Sequence, residues 1–187
     1  EYTRTEWKGT NSSTFTMSGD MTITAYHKRC YYITVTSTDN NITGGKGTFY
    51  VSPTEANYQL SVTCKVNTND RYTANYTATN ASVDTSGKVT FTTDSKNNIT
   101  VTVTTTHWFK VTNSNKNVSI SINNNSGTQD GEWYTAGTNI KVTLKPSYLA
   151  WSPNTASVSI SGQTTSLSAK YSNDSQNFDV TSYITIT

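Results

Sequence analysis

Between Asn75 and Val103 the chain reads as strand, tight turn, strand, loop, strand, and this stretch limits the fold more than any other. Ile99-Thr-Val-Thr-Val103 alternates apolar and hydroxyl side chains with a period of two, the pattern of a strand that buries one face. Asp84-Thr-Ser-Gly87 is a reversal. An aspartate can accept hydrogen bonds from the backbone just ahead of it, and a glycine can take the left-handed conformation that closes the turn. No window of a dozen residues places apolar side chains at i, i+3, i+4 and i+7, as an amphipathic helix would. The fold class is therefore all-β.

Composition supports that reading. Thr, Ser and Asn make up about two residues in five, and the only leucines are Leu60, Leu144, Leu149 and Leu167. Thr, Val, Ile and Tyr suit a pleated, half-buried surface, whereas good helix formers are scarce. Twelve tyrosines, five phenylalanines and four tryptophans are too many for a polar disordered chain. Thin two-sheet sandwiches, in which each strand hides only one face, account for both the low hydrophobicity and the aromatics. The outward faces carry threonine in place of Lys and Glu, which suits a protein facing the outside.

Charge excludes several classes. The net charge of +2 is spread along the chain, and His27-Lys28-Arg29 is too short for a nucleic-acid footprint. No apolar run approaches the roughly 18 residues of a membrane span. No signal peptide is visible, so the chain is expected to be mature, excised from something longer, or exported by another route.

Three segments follow from the spacing of strands and turns. Residues 1–29 hold two short alternating runs, Ser13–Met17 and Met21–Tyr26, and read as a hairpin that packs on the next domain or remains from a preceding one. Residues 30–106 give strands at Tyr31–Thr36, Thr48–Ser52, Tyr58–Val66, Tyr72–Thr79, Val89–Thr93 and Ile99–Thr105, at about ten-residue spacing. His107-Trp-Phe109 marks a seam, and residues 107–187 repeat the texture as a second small sandwich.

Cys64 falls on one face with Tyr58, Leu60, Val62 and Val66, pointing into a core. Cys30 has the opposite phase to Tyr31, Ile33 and Val35. Two readings stand: a Cys30–Cys64 disulfide, which needs a bulge or a strand start at Cys30, or a buried thiol at Cys64.

The chemistry-bearing residues are sparse. Nucleophilic triads need a histidine, and only His27 and His107 exist. Gly44-Gly-Lys-Gly47 lacks the spacing of a phosphate loop, so no cofactor is expected. Asp39-Asn-Asn41, Asn69-Asp70 and Asp94 could offer oxygen to calcium from loop tips, but such residues more often bond their own turns, and no metal is expected. The best candidates for a ligand are Trp133 and Tyr134, after a polar loop, and Tyr148 and Trp151, before Ser-Pro-Asn154. Aromatic faces flanked by polar groups are what sugar rings stack on, and Asp130 and Glu132 could accept sugar hydroxyls. The competing reading makes Trp133 and Trp151 core tryptophans.

The Val83-Asp-x-x-Gly-x-Val-Thr90 corner with its alternating closing strand resembles the second half of the bacterial group-2 immunoglobulin-like domain. That module occurs in invasin- and intimin-type surface proteins and in many phage tail and capsid proteins; Tyr76 stands where the family often has tryptophan. The resemblance implies tandem immunoglobulin-like β-sandwiches and a rigid, non-catalytic structural or attachment module, extracellular on a virion or cell surface. The expected partners are other subunits of that assembly and surface glycans, with homo-oligomers forming through threonine-faced edge strands. Two alternatives are a carbohydrate-binding module of a secreted glycan-degrading protein and a fimbrial or pilus subunit assembled by strand exchange.

Overall fold

The computed structural model describes residues 2–7, 19–20, 25–52, 54–92, 98–145, 154–169 and 175–187. Among them there is no helix. In chain order the strands are β1 Tyr2–Trp7, β2 Ala25–Arg29, β3 Tyr31–Thr36, β4 Ile42–Gly44, β5 Gly47–Val51, β6 Asn57–Gln59, β7 Thr63–Cys64, β8 Asp70–Thr79, β9 Ser82–Val83 and β10 Lys88–Thr90. Then come β11 Ile99–Asn113, β12 Val118–Ile122, β13 Gln129–Asp130, β14 Trp133–Thr135, β15 Asn139–Leu144, β16 Asn154–Ile160, β17 Gln163–Ala169, β18 Ser175–Asp179 and β19 Ile184–Ile186. The chain divides into two compact units, one of Glu1–Thr63 with Asn75–Thr104 and one of Cys64–Ala74 with Thr105–Thr187. Of the proposed hairpin runs, Ser13–Met17 and the first four residues of Met21–Tyr26 lie outside the described residues, and Ala25 and Tyr26 open β2.

In the first unit β3 is the central strand. It pairs antiparallel with β5, Ile33 opposite Phe49, and parallel with the start of β11, Ile33 opposite Ile99. A second, three-stranded sheet has the order β6-β10-β9. Period-two alternation turns Tyr31, Ile33 and Val35 inward with Val51, Ile99, Val101 and Val103, and these are buried together with Leu60, Val89 and Phe91. Tyr31 meets Phe91 with ring centres 5.4 Å apart, and Phe49 stacks on Tyr58 at 5.5 Å, so rings from the two sheets face each other in a sandwich-like arrangement.

The Asp84–Gly87 turn is formed as its residues suggest. Gly87 N–H donates to Asp84 O at 3.1 Å, and Asp84 Oδ1 accepts from the backbone N–H groups of Ser86 (2.8 Å) and Lys88 (3.0 Å) and from Ser86 Oγ at 2.6 Å. These hydrogen bonds, led by the Ser86 hydroxyl, hold the Asp84 carboxyl below its ordinary value of 3.8. Gly87 has φ +83°, and a Cβ there would lie 3.1 Å from the Tyr76 ring.

In the second unit, two sheets enclose one core. One contains β13, β14, the end of β11, β19, β16 and β17, and the other has the order β12-β15-β18. Val111, Ile140, Val142, Leu144, Val158, Val180, Ile184 and Ile186 are its innermost apolar side chains. The last part of β11 pairs parallel with β19, Val111 opposite Ile184.

Several expectations change. Tyr58–Val66 is not one strand: it breaks between β6 and β7, although Tyr58, Leu60, Val62 and Cys64 keep the more buried face, and the phase ends at Val66, which is 68% exposed. Cys30 and Cys64 are separate, partly buried thiols with no disulfide between them. His107-Trp-Phe109 sits inside β11, a single strand that continues past Thr105 while the division between the two units falls within it at Thr104/Thr105. Phe178–Thr187, whose alternation predicts one closing strand, instead holds the end of β18 and all of β19, with the buried Val180 between them.

Candidate functional site

The second unit brings aromatic and charged side chains together where β8, β11, β14 and β13 meet. β11 and β14 run antiparallel, with Trp108 opposite Thr135, Phe109 opposite Tyr134 and Lys110 opposite Trp133. β14 pairs in turn with β13, placing Asp130 opposite Trp133. Lys110 N–H donates to Asn69 O at 2.9 Å, which ties in the start of β8. Alternation then sorts the side chains: Phe109, Val111 and Tyr134 go to the inner face, and Trp108, Lys110, Trp133 and Asp130 to the outer.

On the outer face Arg71 is the organising residue. Its guanidinium carbon lies 4.8 Å from the centre of the Trp133 ring and 5.3 Å from that of Trp108, and it is ion-paired to Asp130. Arg71 Nε is buried and finds no acceptor among the described residues, as expected for a guanidinium held mainly by ring faces. Trp108 Nε1 donates to Thr73 Oγ1 at 2.7 Å, and Lys110 Nζ lies 3.3 Å from Glu132 Oε2. The Asp130 and Glu132 side chains are 67% and 59% exposed, so each keeps acceptor oxygens turned to water despite its ion pair. Such wet pairs contribute about 0–1 kcal/mol each. An arginine against indole adds about 0.5–2 kcal/mol depending on desolvation.

With the same strand parity as Phe109, the His107 ring stacks on Tyr72 with centres 4.2 Å apart and planes 12° from parallel, and lies 4.2 Å from Phe109. Its Nε2 is 3.2 Å from Asp70 Oδ2. Tyr134 is 3% exposed among core residues, and burial pushes its phenol above the ordinary value.

The residues proposed from sequence therefore separate. Trp133, Asp130 and Glu132 share an exposed surface, with Trp133 half-buried beneath Arg71 and outside the apolar core. Tyr134 belongs to that core and presents no face to a ligand, because it is the next residue along the strand and points the other way. Tyr148 and Trp151 lie outside the described residues, as does Asp94. Asp39 spends its carboxylate on its own turn, accepting from Asn41 N–H at 2.8 Å. Sequence reasoning missed Arg71, Trp108, Thr73 and Lys110. Only the alternation of Asp70-Arg-Tyr-Thr73 hinted that Arg71 shares a face with Thr73.

This surface can do recognition chemistry: an edge of indole, two carboxylates with open lone pairs, and ammonium and guanidinium donors within one patch. Compared with protein-family models, with curated proteins and with solved structures, the chain matches none.

Proposed function

We propose that this chain is a non-catalytic structural or attachment module displayed on the outside of a phage particle or bacterial cell, built as two tandem immunoglobulin-like β-sandwiches. One observation carries the reading. Each unit encloses its own apolar core and joins an early strand to a late one in parallel, Ile33 beside Ile99 in the first and Val111 beside Ile184 in the second. The other pairings whose register is resolved are antiparallel, and this repeated closure supports reading the chain as one module used twice.

The resemblance over 75–103 points the same way, and so do outward faces rich in hydroxyls and amides. Attachment runs through the outer face of the second unit, where Trp133, Asp130 and Glu132 surround Arg71. Its chemistry suits the hydroxyl-rich surface glycans of a cell, which also keeps alive the reading as a carbohydrate-binding module. Immunogold labelling of intact source cells or particles with antibody against the chain tests surface display. Labelling of unbroken specimens is the expected result, and label confined to broken ones would refute it.

A further inference from the structure

We infer that the outer edge of β17 is a self-pairing surface, through which two copies of this chain join antiparallel about a two-fold axis at Ser166. The inference rests on the strand geometry alone and stands whether or not the attachment reading holds.

The argument starts from which backbone groups β16 has already used. Ser157 N–H donates to Thr187 O at 2.8 Å and Thr187 N–H returns to Ser157 O at 2.9 Å, so the odd-numbered residues of β16 turn their backbone groups towards β19. In an antiparallel ladder the even-numbered residues must turn theirs the other way, towards β17. The register sets Ala156 opposite Leu167, Val158 opposite Thr165 and Ile160 opposite Gln163. Gln163, Thr165 and Leu167 are therefore bonded to β16, and Thr164, Ser166 and Ser168 direct N–H and C=O outward. Among the described residues no strand takes up that edge.

Edges of this kind are usually blunted by charge, proline or a bulge. β17 has none of these: its seven residues are Gln-Thr-Thr-Ser-Leu-Ser-Ala, and its pairing with β16 is regular from Asn154–Ala169 to Ile160–Gln163. It is the longest edge strand among the described residues without a charged side chain. Gln163, Thr164, Thr165 and Ser166 are all exposed, on both faces of the sheet, so nothing described covers this stretch. The turn that delivers it, Ser161-Gly162, has φ +50° and +81°, the two-residue geometry that keeps a hairpin tight and regular.

The occupant is a second copy because the edge is complementary to itself. Bonded pairs must match outward-facing residues, and an antiparallel copy achieves this with Ser166 opposite Ser166, and Thr164 opposite Ser168 in both directions. All three outward donors and all three acceptors of each strand are then satisfied. Across the faces the described side chains meet as Ser166–Ser166 and Thr165–Leu167, with no like charges opposed. A one-residue slip would set outward groups against residues already bonded to β16.

The test uses the full chain in sedimentation velocity over a wide concentration range, alongside three variants. Wild type should show a concentration-dependent dimer. Ser166→Lys opposes two ammonium groups at the axis and should weaken dimerisation at least about tenfold. Ser166→Pro removes an outward N–H that β16 does not use, and should give monomer with the far-ultraviolet spectrum and melting midpoint nearly unchanged. Ser166→Cys, with Cys30→Ser and Cys64→Ser, should oxidise to a 166–166 disulfide dimer, whereas Thr165→Cys in the same background should not. A wild-type chain monomeric at every concentration would overturn the proposal. So would a dimer indifferent to both Ser166→Lys and Ser166→Pro, or one that cross-links through Thr165→Cys as readily as through Ser166→Cys.

Discussion

Arg71 lies against Trp133 with its guanidinium carbon 4.8 Å from the ring centre, although 62 positions separate the two in the chain. The contact joins β8 to β14 across β11, and Trp108 on β11 supplies the second ring at 5.3 Å. The patch is thus built around a planar cation, and the identity of that cation matters. Lysine would keep the charge but lose the flat surface that lies on indole. Arg71→Lys is expected to cost about 1–2 kcal/mol, measured by chemical denaturation followed by tryptophan fluorescence. An unchanged midpoint would mean that the rings hold their places without the guanidinium.

Two glycines with left-handed backbone separate strain from crowding. Gly87 has φ +83° and its missing Cβ would press on Tyr76 at 3.1 Å, while Gly131 has φ +59° and open space around it. Gly131→Ala should cost about 1 kcal/mol from backbone strain. Gly87→Ala should cost more, about 2–3 kcal/mol, because the Tyr76 ring must also move. Equal losses in thermal melts would show that Tyr76 yields freely.

Asp84 gives the turn a pH dependence of known sign. Its carboxyl is held below 3.8 by hydrogen bonds, first that from Ser86, so the folded state favours the charged form. The stability it adds is complete above the ordinary carboxylate pKa and disappears as pH falls through its folded value. Wild type should therefore lose more stability than Asp84→Asn as pH drops below about 4. Parallel acid titration curves for the two would remove Asp84 from the acid response.

Core and surface assignments can be checked by truncation. Ile33 and Ile140 are 0% exposed, and replacing either with alanine should cost about 2–5 kcal/mol. Val66→Thr, at a side chain 68% exposed, should stay within about 0.5 kcal/mol of wild type. A large loss at Val66 would mean that its face is covered in solution.

Much of the local structure was legible in residue order. Tyr31–Thr36 is found with those bounds, because Tyr-x-Ile-x-Val alternation and β-branched residues act within the strand itself. The Asp84–Gly87 reversal was equally plain, since a capping carboxylate and a left-handed glycine are local devices. Phase held across the break after Gln59, with Leu60, Val62 and Cys64 still on the more buried face, and failed at Val66, which is 68% exposed. It failed again at Tyr134, where adjacency to Trp133 suggested a shared site although neighbours in a strand face opposite ways. Arg71 was invisible as a site residue because its partners at positions 108, 130 and 133 come from pairing of distant strands. No spacing rule along the chain encodes that meeting.

The most direct test of attachment is binding of the purified chain to whole bacterial cells and to an array of surface glycans, with Trp133→Ala and Asp130→Asn/Glu132→Gln measured alongside. The account predicts saturable binding by wild type that falls at least about tenfold in each variant while their melting transitions remain cooperative. Binding by Trp133→Ala equal to wild type, or no binding by wild type to any cell or glycan, would contradict it.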